Sequence, residues 1–320
     1  MSSILNESNT MQGGNTMPNI WTHMLFCEDL IDTIGNPNSF SKHEALMKLG
    51  AQGPDPFFYH HFWPWLKESH VNKIGSLLHT QECGPVIMEM IQKAKNKDKP
   101  VQAYVFGFVT HHILDRNAHP YINYRAGYEG SNHQKLEVCI DTTLMEKYHN
   151  LKTWKVPVYK EINVGRAMNK DAAQLLHHTI KTFFPALPFD NQCYIQKAYQ
   201  DMKFALKLLA DPYGWKNIFL KSFISSYSHQ PIKDEVDYLN LNHTTWYHPA
   251  TNTPSTDSFL DLYEQAKLEG IEIMSEVIRF WAGNEVTPNE QLQKLVGNIS
   301  YDTGLPLKMK LTNQYCDPIV

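Results

Sequence analysis

The stretch "VQAYVFGFVTHHILDRNAHP", residues 101–120, constrains this chain more than any other. Its first half is an apolar run without strand-like alternation and reads as buried helix, placed at residues 100–116. The second half then sets His111 and Asp115 four residues apart, so that the two side chains stack on one helix face with roughly 5–6 Å between Cβ atoms. A carboxylate in an apolar helix is costly unless a cation or hydrogen-bond donors compensate it. His119 follows four residues further on, but Pro120 predicts that the helix has ended there, which leaves the direction of His119 open.

A second helix, expected at 132–148, repeats the device. In "HQKLEVCID" (133–141) His133, Glu137 and Asp141 run at i, i+4 and i+8 along one stripe, and Leu136, Val138, Cys139 and Ile140 fill the apolar remainder. One such stripe alone is equally a solvated face carrying a weak ion pair. Two such helices about twenty residues apart point instead to imidazole and carboxylate ligands drawn from facing helices, the way a helical bundle builds a multinuclear metal site. Imidazole with carboxylate and no thiolate suits zinc before iron or manganese.

The rest of the chain reads as helix almost throughout. Further helices are expected at 22–34, 70–80, 85–96, 169–184, 193–210, 214–226 and 258–281, with Thr22 as a cap for the first and Ser41 and Glu44 at capping-box spacing. "AQGPDPFFYHHFWPW" (51–65) has a glycine and three prolines among aromatics and predicts an irregular packed loop. Residues 227–257 form a long polar and aromatic connection of a length that is usually functional. No run has the alternation or β-branched enrichment of a sheet, so the fold class is all-α. The organisation expected is a flexible arm at 1–16, with Met17 as the start of the folded part, and one helical domain at 17–320. That domain has a metal-binding half (17–150) and a further helical half (151–320).

Composition narrows the function classes. With 42% apolar and 19% charged residues the chain is globular, and a net charge of −4 with scattered lysines offers no nucleic-acid patch. Five cysteines without a CxxC pair read as reduced thiols used as small hydrophobes. No segment has the eighteen apolar residues of a membrane span, and the first sixteen residues lack the pattern of a signal peptide, so a cytoplasmic location is expected.

The ordered segments "THMLFCEDLIDTI", "GAQGPDPFFYHHFWPW", "GSLLHTQECGP", "HHILDRNAHPY" and "HQKLEVCIDT" resemble those of the zinc-dependent phospholipase C family, a helical family related to the S1/P1 nucleases. "YLNLNHTTWYHP" further on is similar to a segment of its intracellular-type branch. The resemblance implies a multi-helix bundle, here with additional C-terminal helices, and a zinc-dependent hydrolase of phosphoric esters acting on a small-molecule or lipid substrate. It implies one zinc held by Asp55, His79, His111 and a bridging Asp115, and a second held by His119, His133 and Glu137. A third would use His23, Asp115 and a free amino terminus exposed by processing. This chain shows no processing signal, so two zinc ions are expected.

Further roles attach to that reading. Water activated by metal would attack phosphorus in line, with Asp115 fixing the metals and Asp55 serving as ligand or, less favoured beside a dication, as proton acceptor. Asp141 is placed as an acceptor for a ligand imidazole N–H. His61 and His112 compete for ligand positions. Phe57, Phe58, Tyr59, Phe62, Trp63 and Trp65 are candidates to line the cleft, and His243, Trp246 and His248 to close over it. The alternatives are a phosphohydrolase of the adjacent His-Asp type, which "HHILD" does not satisfy, and a non-catalytic helical protein with a structural zinc.

Overall fold

The structure is a computed structural model, and it describes residues 20–35, 39–63, 66–67, 69–216 and 226–320. The expected arm at 1–16, Met17, Trp65 and most of the helix expected at 214–226 lie outside the described residues.

The architecture is a multi-helix bundle around one long helix. In chain order the helices are α1 (Ile20–Thr33), α2 (Glu44–Gly50), α3 (His70–Thr80), α4 (Cys83–Ala94), α5 (Lys99–Ala126), α6 (Asn132–His149), α7 (Lys170–Phe183), α8 (Cys193–Leu209), α9 (Phe259–Ala282) and α10 (Glu290–Val296). Strand structure among the described residues is confined to a two-residue antiparallel ribbon, Trp246–Tyr247 against Pro254–Ser255, and one isolated bridge. The ribbon lies in the long connection and the bridge, Ile299 with Pro306, in the C-terminal segment, and both leave the all-α reading intact.

Helix α5 is the axis. Its 28 residues span ~42 Å at 1.5 Å per residue, and every residue from Val101 to Ala126 is buried or nearly so. Helices α1, α2, α4, α6, α7 and α9 all pack against it. One contiguous hydrophobic cluster draws on residues from Ile20 to Val296, so both halves of the chain contribute to the same core. Buried Arg116 joins them by polar contacts as well, donating to Glu269 of α9 at 2.8 Å and to the carbonyl of Val296 at 2.8 Å.

The helix that was expected to stop before Pro120 continues through it to Ala126. Pro120 has no N–H to give to the carbonyl of Arg116, and Gly304 is seated against that carbonyl so closely that a Cβ there would lie 2.2 Å from the oxygen. Tertiary packing thus accommodates the break in the hydrogen-bond ladder. His119 therefore falls on the same helix as His111 and Asp115, one further turn along.

Two expected caps do not form. Ser41 opens a short 3-10 turn, Ser41–His43, and α2 begins at Glu44 without a side-chain cap. Thr22 lies inside α1, whose first turn is capped from a distance: Asp141 accepts from the backbone N–H groups of Trp21 (3.1 Å) and Thr22 (2.8 Å).

Candidate metal centre

Five imidazoles and three carboxylates converge beside the middle of α5. Asp115 is at the centre. Its Oδ2 lies 3.0 Å from His111 Nε2 and 3.6 Å from His79 Nε2, while its Oδ1 lies 3.2 Å from His23 Nε2 and 3.4 Å from His119 Nε2. Asp55 stands opposite, 3.3 Å from His79 Nε2 and 3.6 Å from His111 Nε2. Glu137 faces His133 Nε2 at 3.2 Å and His119 Nε2 at 3.7 Å. Donor atoms close enough to share an ion form three groups: His23 with His111 and Asp115, Asp55 with His79 and His111, and His119 with His133 and Glu137.

Each ligand-type side chain is delivered by a different local device. His111, Asp115 and His119 share a stripe of α5 through the i, i+4 spacing, and His133 and Glu137 share one of α6. His23 sits in the first turns of α1, and His79 in the last turn of α3. Asp55 opens a 3-10 turn, Asp55–Tyr59, fastened to α3 by the Asn72 amide, which donates to the carbonyls of Phe57, Phe58 and His60. Just before it, Gly53 has φ +50°, and a Cβ at that position would stand 2.3 Å from the His111 ring. Glycine is required there twice over, by the left-handed backbone and by the imidazole beside it.

Hydrogen bonds on the far ring nitrogens fix which atom carries the lone pair. His79 Nδ1 donates to the carbonyl of Gly75 at 2.8 Å and His111 Nδ1 to the carbonyl of Ala51 at 3.0 Å. A carbonyl only accepts, so in the neutral ring Nε2 is unprotonated and turned to the carboxylates. Metal-ligating imidazoles are oriented in this way.

The electrostatics call for cations. Asp55 Oδ2, Asp115 Oδ2, Glu137 Oε2 and His111 Nε2 are buried without any hydrogen-bond partner, a rare condition for buried polar atoms. Asp55 Oδ2, Asp115 Oδ2 and His111 Nε2 face one another across the cluster, and Glu137 turns its other oxygen to His133 and His119. The 3.0 Å contact between His111 Nε2 and Asp115 Oδ2 lacks hydrogen-bond alignment, so proximity there is not explained by a shared proton. These residues fit zinc, which takes imidazole nitrogen and carboxylate oxygen.

Burial by itself raises the carboxyl of Asp115, but the imidazoles of His111, His119 and His23 outweigh it and hold the group well below the usual range. Burial likewise raises Glu137, and His133 and His119 bring it down to about 2. For His79 burial works downward, and the neighbouring carboxylates of Asp115 and Asp55 outweigh it and push it up to about 10. Asp115 and Glu137 stay ionised, and a positive charge is favoured between them whether it comes from protons or from metal.

The centre opens into a cleft of about 1050 Å³ whose walls include Asp55, His79, His119, His133 and Glu137. The opposite wall is the C-terminal segment 298–314, which was not foreseen. Tyr301 is fully buried and its ring lies 4.9 Å from that of His79 and 4.5 Å from that of His112. Asp302 faces His119 Nδ1 at 3.7 Å. No spacing in the sequence ties these residues to ligands nearly 200 positions earlier.

Other expectations are corrected. Asp141 takes no ligand imidazole N–H; it anchors the start of the helix that carries His23. His112 joins none of the three groups; its Nε2 bonds the carbonyl of Ile299 at 3.0 Å, and burial lowers it to about 3. His61 is exposed, with its ring on His60 and its N–H on Asp201. His243 bonds the carbonyl of Thr256 at the surface, and His248 bonds that of Thr303, so neither closes over the cleft; Trp246 is core. Of the aromatic loop, Phe58 lines the cleft, Phe57 and Tyr59 are core, and Phe62 and Trp63 pack on Phe204.

Among the described residues no helix is long and apolar enough to cross a membrane. A family model described as zinc dependent phospholipase C matches residues 22–194, more than half of the chain. No curated protein and no solved structure matches it.

Proposed function

The chain belongs to the zinc-dependent phospholipase C family and is a zinc-dependent hydrolase of phosphoric esters, and from that premise we propose how its residues divide the work. One zinc would be held by Asp55, His79, His111 and Asp115, and a second by His119, His133 and Glu137. Asp115 turns one oxygen to His111 and His79 and the other to His23 and His119, and so would serve both groups. His23 adds an imidazole on the Asp115 side. Because a neutral imidazole has one lone pair at Nε2, His111 serves a single ion at a time, which favours two ions over three.

Bound zinc supplies Lewis acidity toward a phosphoryl oxygen and lowers the pKa of water from 15.7 to roughly 7. The chain's own residues do the rest. Asp115 and Glu137 remain ionised and, with Asp55 beside them, would hold positive charge at the floor of the cleft. Gly75 and Ala51 keep His79 and His111 in the tautomer that presents Nε2. The surrounding core excludes water from the inner face, which strengthens each electrostatic contact there. Asp55 acts as ligand; its position between two imidazoles supports that role over proton acceptor.

The substrate class we propose is a phosphodiester, from a small molecule or a lipid headgroup, admitted through the 1050 Å³ cleft. The proposed location is the cytoplasm; the buried free thiols of Cys27, Cys83 and Cys139 are in keeping with a reducing compartment. The observation that carries the reading is the set of buried lone-pair atoms without partners around Asp115. A single structural zinc needs four protein ligands and leaves the remaining acids and imidazoles unexplained.

The test is a panel of phosphomonoesters, phosphodiesters and phospholipids offered to zinc-loaded and chelated protein. Hydrolysis of a diester that disappears on chelation and returns with zinc supports the assignment. Fully loaded protein that turns over no ester favours the structural alternative.

A further inference from the structure

We propose that Asp302 is the positioning residue for His119, so that the C-terminal turn completes the second metal group. The inference rests on the zinc reading above and concerns a residue beyond the part of the chain that the family model matches.

His79, His111 and His119 all turn Nε2 to Asp115, and the structure treats their Nδ1 atoms differently. Those of His79 and His111 are bonded to backbone carbonyls. Nδ1 of His119 is buried and has no hydrogen-bond partner. Asp302 Oδ1 faces it at 3.7 Å, beyond hydrogen-bond length but within ion-pair range. Nε2 of the same ring is directed to Asp115 and Glu137, so Nδ1 carries the proton when Nε2 binds a metal. A carboxylate set against that proton orients the ring and makes Nε2 a stronger donor than a carbonyl would.

The turn that bears Asp302 is fixed to the metal centre from several sides. The N–H of Tyr301 and the hydroxyl of Ser300 both donate to the carbonyl of His79, at 3.1 and 3.4 Å. The carbonyl of Asp302 itself accepts from Asn123 of α5 at 3.1 Å and from Asn313 at 3.3 Å. His248 bonds the carbonyl of Thr303 at 3.0 Å, and Gly304 rests on the carbonyl of Arg116. A turn held to one ligand's backbone and aimed at another ligand's ring is built to transmit position.

The experiment compares wild type, Asp302→Ala, Asp302→Asn and, as a control for lost surface charge, Asp190→Ala. Zinc affinity is read by competition with a chromophoric chelator, and site geometry by the visible absorption of the cobalt-substituted protein. Asp302→Ala should weaken one of two ions by about 10–100-fold and alter the cobalt spectrum, with the other ion unaffected. Asp302→Asn, which keeps an acceptor without the charge, should fall between, and Asp190→Ala should match wild type. Wild-type affinity for both ions in Asp302→Ala, with an unchanged cobalt spectrum, overturns the proposal. So does failure of both Asp302 variants to fold, which would make the residue structural. Wild-type protein that binds no zinc removes the underlying reading as well; wild type with two ions and an unperturbed Asp302→Ala removes this inference alone.

Discussion

The imidazoles of His23 and His111 stack with their centroids 4.1 Å apart, and each turns Nε2 to a different oxygen of Asp115. Asp115 Oδ2 and His111 Nε2 are both buried without a hydrogen-bond partner, so their contact is not a shared proton and leaves lone pairs for a cation. Asp115 reaches ring nitrogens on both sides, His111 and His79 with one oxygen and His23 and His119 with the other, and we propose that both metal ions depend on it.

Asp115→Asn should release both ions and lower diester hydrolysis by on the order of 10³-fold. Elemental analysis beside a kinetic assay checks it. A variant that loses one ion while the other stays fully occupied contradicts the shared role of Asp115.

Gly53→Ala tests the tight fit behind His111. A side chain at φ +50° is strained and its Cβ would overlap the ring. A stability loss of about 1–2 kcal/mol is expected, with zinc affinity falling by more than strain alone accounts for. Wild-type zinc affinity in a folded Gly53→Ala protein would show that His111 can move without consequence.

Zinc binding should expel protons. His79 is pushed up to about 10 and His119 is also raised by its carboxylate neighbours, so both are charged near pH 7 in the metal-free protein. Ligation requires the neutral ring, and affinity should rise roughly tenfold per pH unit for each proton released. Calorimetric titrations in buffers of different ionisation enthalpy measure this directly. A buffer-independent enthalpy would contradict it.

His112 makes a separate contribution to acid sensitivity. Burial, helped by the Arg116 charge, lowers it to about 3, below the unfolded value near 6.5. Between those values the unfolded chain binds the extra proton, so its contribution to stability is complete above pH 6.5 and is lost as pH falls toward 3. The difference in stability between wild type and His112→Gln should shrink by ~2 kcal/mol from pH 7 to pH 5. Denaturant unfolding at several pH values reads it; parallel curves for the two proteins would exclude a buried neutral His112.

How much of this was legible in the sequence depends on how local the cause is. The pairs His111/Asp115 and His133/Glu137 were readable because helical spacing alone puts them on one face. His119 was placed in doubt because Pro120 breaks a helix by its local chemistry, whereas here Gly304, seated on the Arg116 carbonyl, lets the helix run on. Asp141 was placed by its stripe as an acceptor for a ligand imidazole or as a surface acid, whereas it is buried and accepts from Trp21 and Thr22. Its position on the stripe is local, while its bond to Trp21 and Thr22 depends on how α1 meets α6. Asp302 and Tyr301 were invisible. They sit in an irregular turn, and only the packing of the C-terminal segment against α3 and α5 brings them to the cleft.

The central claim is that residues from α1, α3, α5, α6 and the Asp55 turn hold more than one zinc around Asp115. Metal content of purified wild-type protein, with anomalous scattering at the zinc edge to locate each ion, tests it most directly. Two ions are expected, one among Asp55, His79, His111 and Asp115 and the other among His119, His133 and Glu137. A single ion closed by four protein ligands, or no metal within reach of Asp115, would contradict the account.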